Sequence, residues 1–194
     1  MADGESLTAC AGVSVVKTHY PFARAYKISE DLCKEAKKFV KDERKQYGLD
    51  YFSAIDWHLA ASGLLGSISE IRQREYQVNH GDKSWKLEMR PVRLQNNNRE
   101  WRTWENFTQV VEEFKEGKDW KERQNKIMAL REVLRKGSIE ATQEFLRAYK
   151  LSHLPLFPES SGQSKQLAEG GWLSRKCGYF DAIEAMDFYI GLED

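Results

Sequence analysis

The apolar positions alternate near the start and in the middle of the chain and follow helical spacing elsewhere. Val13, Val15 and Val16 through Tyr26 and Ile28 make a β-branched and aromatic run broken by Pro21, which predicts an extended N-terminal segment, an edge strand rather than a central one. Ser29 has the character of an N-cap, with Glu30 and Asp31 in the first turn. Leu32, Ala36, Phe39, Val40 and Tyr47 then recur at helical spacing up to Gly48, predicting a helix over 30–47. Asp50 is placed to cap a second helix with Phe52, Ile55 and Leu59 on its buried face. Gly63 and Gly66 weaken its continuation by about 1 kcal/mol each relative to alanine. Ser67 and Glu70 have the spacing of a capping box and restart a helical piece that holds Ile68 and Ile71.

Alternation returns next. Tyr76 and Val78 share one face, Gly81 and Asp82 are turn residues, and Trp85, Leu87 and Met89 share a face opposite Lys86, Glu88 and Arg90, which predicts a hairpin between residues 75 and 94. Pro91 ends its pairing, and Asn98 is placed to cap the next helix. Trp101, Trp104, Phe107, Val111 and Phe114 mark the clearest helical stripe, closed by Gly117. A further helix is predicted over 119–136, with Trp120, Ile127, Leu130 and Leu134 inward and Gly137 as its stop; Ser138 caps another with Thr142, Phe145, Leu146 and Tyr149. The fold class is therefore α+β and mainly helical: four to five helices packed with a central β-hairpin and an extended N-terminal segment. Residues 1–12 are expected to be disordered, 13–155 to form a single globular domain, 156–171 a linker or mobile loop rich in Ser, Gly and Gln, and 172–194 a C-terminal docking helix with Ile183, Met186 and Ile190 on one face.

Composition narrows the classes. With 194 residues, 41% hydrophobic and 31% charged, the chain is long enough for a core and too apolar for wholesale disorder. No apolar run approaches the roughly 20 residues that span a bilayer, and MADGESLTAC lacks the basic start and apolar stretch of a signal peptide, so an intracellular protein of cytoplasm or nucleus, without a membrane partner, is expected. Cys10, Cys33 and Cys177 are odd in number and widely spaced, which suggests neither a disulfide framework nor a zinc site.

Charge adds the candidate chemistry. The formal net charge is zero, yet Lys83–Trp104 holds six basic residues against two acidic ones, a local +4 that leaves −4 elsewhere, together with three of the six tryptophans. Cations interleaved with rings can hold a nucleic-acid backbone while a ring stacks on a base. Helical spacing assigns Trp101 and Trp104 inward and alternation separates Trp85 from Lys86 and Arg90, which leaves a cationic strip. The candidate nucleic-acid-binding residues are Lys83, Lys86, Arg90, Arg93, Arg99 and Arg102, extended by Arg131 and Arg135 one turn apart on the following helix. The sequence thus favours a non-catalytic binding protein, by a margin a binder of RNA or DNA; the alternative is a protein-interaction adaptor or regulator.

Catalytic motifs are weak. Gly12–Thr18 has the lysine and threonine of a phosphate loop but Val16 where glycine is required. Asp82, Glu88 and Arg90, with His58 or His80, faintly match the layout of a metal-dependent nuclease, but arginine cannot act as an adjustable base. The four histidines lack metal-ligand spacing. No catalytic residue, metal or cofactor is assigned.

Overall fold

The computed structural model describes residues 7–60, 66–96, 100–158 and 163–189. In chain order the elements are β1 (Cys10–Val16), α1 (Phe22–Tyr47), β2 (Ala54–Ala60), α2 (Ile68–Glu75), β3 (Gln77–His80), β4 (Lys83–Lys86), β5 (Val92–Arg93), α3 (Trp104–Glu116), α4 (Gln124–Leu134), α5 (Ile139–Ala148), α6 (Gln163–Gly170), β6 (Trp172–Leu173), β7 (Lys176–Cys177) and α7 (Phe180–Ala185). They belong to two compact units, one of Met1–Arg72 with Arg90–Asn96, the other of Gln73–Met89 with Asn97–Asp194. The α+β class holds, but seven helices and two small sheets stand among the described residues where four to five helices around one central hairpin were expected.

Unit 1 is a β-α-β crossover with one added strand. β1 and β2 run parallel, in register from Cys10↔Ala54 to Val16↔Ala60, and β5 joins β2 antiparallel, giving the order β1-β2-β5. α1 starts at Phe22, eight residues before the predicted 30, because Pro21 opens it: its φ of −58° already suits a helix start, and its carbonyl accepts from the amides of Arg24 and Ala25. Ser29, expected as the cap, lies inside the helix, where its hydroxyl meets that of Ser14 at 2.8 Å. At the far end Gly48 closes the helix as predicted, in the left-handed region at φ 63°. β1 and α1 approach closely at Gly12, where a Cβ would stand 2.2 Å from the Ser29 carbonyl oxygen and 2.4 Å from the Cys33 amide nitrogen.

Residues 54–60 are a strand, not the helix expected from Phe52, Ile55 and Leu59. Spacing alone does not separate a short buried strand from a helical turn, and the parallel ladder with β1 decides it. The consequence is a changed partition of side chains: Ile55, Trp57 and Leu59 share one face, and Ala54, Asp56, His58 and Ala60 share the face beneath α1. Ahead of α2 the capping box forms as predicted, the Ser67 amide donating to Glu70 (2.7 Å) and the Glu70 amide to the Ser67 hydroxyl (3.3 Å). Gly63 lies outside the described residues.

Unit 2 contains the predicted hairpin as β3 and β4, turning at Gly81 (φ 58°), but in a four-stranded sheet of order β3-β4-β7-β6. β6 and β7 have two residues each, too few to leave an alternating signal in the sequence. α3 is capped by Thr103, whose hydroxyl accepts from the Asn106 amide; the expected cap, Asn98, lies outside the described residues. α4 spans less than the predicted 119–136, and Gly137 follows it at φ 63°. Ser138 caps α5 as expected, accepting from the Ala141 amide. Over residues 172–189, where a docking helix was expected, β6, β7 and α7 belong to the unit's interior: Trp172, Tyr179 and Phe180 are fully buried, and the Tyr179 hydroxyl donates to the Pro155 carbonyl (2.8 Å). Among the described residues no helix is long and apolar enough to cross a membrane.

Candidate binding surfaces

The predicted cations are divided between the two units. In unit 1, Arg90 is buried with its guanidinium 5.7 Å from the Trp57 ring centre, and Arg93 lies 4.5 Å over Phe52. In unit 2, Arg102 is buried and its Nε stands 3.5 Å from Glu100. Arg131 bonds Glu184 at 3.1 Å, a carboxylate that also accepts from the Tyr76 hydroxyl at 2.7 Å, and Arg131 and Arg135 share the Phe180 ring at 5.3 and 5.0 Å. Only Lys83 and Lys86, on β4, are exposed outright among the described members of the set; Arg99 lies outside the described residues. Arginine's flat, weakly hydrated head suits it to such ring and carboxylate contacts. Trp101 is buried against Phe157, and Trp85 is half-buried, edge-on to Trp172 at 5.2 Å.

Lys83 lines one open cavity of unit 2, about 460 Å³, with His80, Asp82, Trp85, Ile139 and Glu140. The Ser138 hydroxyl donates to Glu140 and holds its carboxyl below the ordinary range, with a smaller pull from His80. Of the nuclease candidates, Asp82 sits in the hairpin turn and lines this cavity, Glu88 is buried in unit 2, and Arg90 is buried in unit 1. Among the described residues no three His, Cys, Asp or Glu side chains are grouped to hold a metal ion.

Unit 1 also holds a polar cluster that the helical reading of 52–59 concealed. Asp56, fully buried, accepts two bonds from the Arg72 guanidinium (2.9 and 2.5 Å) and one from the Trp57 amide (2.9 Å). Beside it His58 is 3% exposed; burial first, then the Arg90 and Arg72 charges, lower its pKa to about 4. This imidazole is neutral at pH 7 and enclosed, which fits a structural role. The alternation Ala54, Asp56, His58, Ala60 was the sequence signal for it, masked by the helical spacing of the apolar neighbours.

Unit 1 also exposes apolar side chains along β1. Among the described residues β1 pairs with β2 alone, so the other edge of the strand has no ladder partner there, although the Cys10 carbonyl accepts from the Cys33 thiol. Its sequence, CAGVSVV, has no charge and no proline, the usual devices that protect an edge. Cys10, Gly12, Ser14 and Val16 are half-buried toward α1, while Ala11, Val13 and Val15 face outward, Val13 41% and Val15 36% exposed. Across the ladder they meet Ile55, Trp57 and Leu59, so the outer face is apolar over both strands. Alongside the edge α1 presents a stripe at helical spacing: Phe22 and Tyr26, exposed and stacked at 6.4 Å, then Cys33 and Lys37. The stripe adjoins β1, since the Cys33 thiol donates to the Cys10 carbonyl and the Lys37 charge acts on the Cys10 thiol, whose pKa burial raises.

Compared with known proteins, the chain matches no protein-family model and no curated protein sequence.

Proposed function

We propose that this chain is a non-catalytic protein-interaction module that engages an extended segment of a partner along β1. The single observation that carries this reading is the β1 edge, which among the described residues has no second strand partner, is uncharged and is flanked by the exposed side chains of Val13 and Val15. An unpaired row of strand amides and carbonyls is a template for another strand, and main-chain bonds of that kind are a recurrent mode of peptide recognition. The engagement of the arginines within their own units supports the same preference over nucleic acid: Arg90, Arg93, Arg102, Arg131 and Arg135 contact rings or carboxylates there.

Hydrogen exchange followed residue by residue tests it. A soluble strand-forming peptide of alternating valine and threonine is expected to slow exchange of amides in Cys10–Val16, and a 20-nucleotide single-stranded RNA or DNA is expected to leave them unchanged. Protection by the oligonucleotide, centred on Lys83 and Lys86 and lost at raised salt, with none from the peptide, overturns the assignment in favour of a nucleic-acid binder.

A further inference from the structure

If β1 is where a partner strand pairs, its edge also constrains the chemistry of that strand, so the partner's identity rests on the interaction reading. Along the seven positions of β1 nothing is charged, and both faces of the strand are lined by apolar or small side chains, so a segment lying there must be extended and uncharged itself. Its side chains on one face would continue the row of Ala11, Val13 and Val15; on the other they would lie beside Phe22, Tyr26 and Cys33 of α1. The electrostatics differ at the ends. Lys37 lies one helical turn beyond Cys33, whose thiol donates to the Cys10 carbonyl where β1 begins, and α1 as a whole carries eight basic against five acidic residues, a net +3. A second copy of this chain would set that cationic helix near its own equivalent, whereas an acidic segment would be attracted.

We propose that β1 accepts a strand of a different protein segment, β-branched and uncharged over about seven residues and bearing an acidic residue where it passes Lys37. The pairing adds a fourth strand to the β1-β2-β5 sheet and covers Val13 and Val15.

The test uses the full chain and three labelled peptides read by fluorescence anisotropy. Each has a core of alternating valine and threonine; one is flanked by aspartates, one by lysines, and one has aspartate flanks and a proline at its centre. The aspartate-flanked peptide is expected to bind at least fivefold more tightly than the lysine-flanked one. The proline peptide is expected not to bind, because it lacks a donor and resists the ladder. Lys37→Gln should bring the aspartate and lysine peptides to within twofold of each other, and Val15→Lys should abolish binding of both with the circular dichroism of the chain unchanged. Equal binding of the two flanked peptides overturns the acidic assignment and leaves the interaction reading standing. Binding by none of them, or by the proline peptide as well as the others, defeats the interaction reading too. Light scattering closes the remaining route: a dimer that Val15→Lys dissociates makes the occupant a second copy and overturns the proposal of a different partner.

Discussion

His58 and Asp56 show how much rests on single side chains in unit 1. The folded chain keeps His58 neutral down to a pKa of about 4, below the unfolded value near 6.5, so between those values the unfolded state binds more protons. Stability contributed by this group is therefore complete above about pH 6.5 and is lost as pH falls toward 4, on the order of 2 kcal/mol between pH 7 and pH 5. Urea unfolding at the two pH values should show the loss, and a His58→Gln variant should flatten it. Asp56→Ala removes one partner of a buried ion pair and leaves the Arg72 guanidinium, with a side chain only 11% exposed, facing the space. The expected cost is about 3–5 kcal/mol by the same measurement. Gly12→Ala drives a methyl group into backbone atoms of α1, which cannot swing aside as a side-chain tip can; at least about 2 kcal/mol should go, and a wild-type midpoint would refute the contact.

Elements differ in how plainly they were written. Where a local device sets a boundary, the sequence showed it: Gly48 and Gly137 in the left-handed region, Ser67 with Glu70, and Ser138 at the start of α5. Ser138→Ala should accordingly lower the midpoint of thermal unfolding by an amount equivalent to about 1 kcal/mol. Boundaries set by tertiary contact were not legible. Ser29 looks like a cap because its hydroxyl is polar, and only the neighbouring Ser14 shows that it bridges α1 to β1. The run at 52–59 carries apolar residues at both helical and strand spacing, and the pairing with Cys10–Val16 that resolves it is nonlocal. β6 and β7 owe their existence to strand neighbours: the backbone of Arg175 accepts from Lys86, and two residues cannot announce a strand alone. The edge at β1 was partly visible, since Val13, Val15 and Val16 predicted an edge strand; its beginning at Cys10 was not.

At the scale of the whole molecule, charge sorted along the sequence is taken up largely within each unit. The +4 segment is divided between two compact units, and Arg90, Arg93 and Arg102 contact Trp57, Phe52 and Glu100 respectively. A fluorescent RNA or DNA probe at micromolar protein and 0.1 M salt should therefore show no salt-sensitive shift; a slope of log affinity on log salt steeper than about −3, reporting several phosphates neutralised together, would restore the cationic strip as the functional surface. The tryptophans, by contrast, are sorted after all. Five of the six belong to unit 2, and Trp57 is the sole indole of unit 1, in register with Val13 on the outer face of the sheet. Its emission is thus a built-in optical probe of the β1 neighbourhood. Subtracting the spectrum of Trp57→Phe isolates that light, so occupancy of the open edge can be followed in the intact chain without attaching a dye to it.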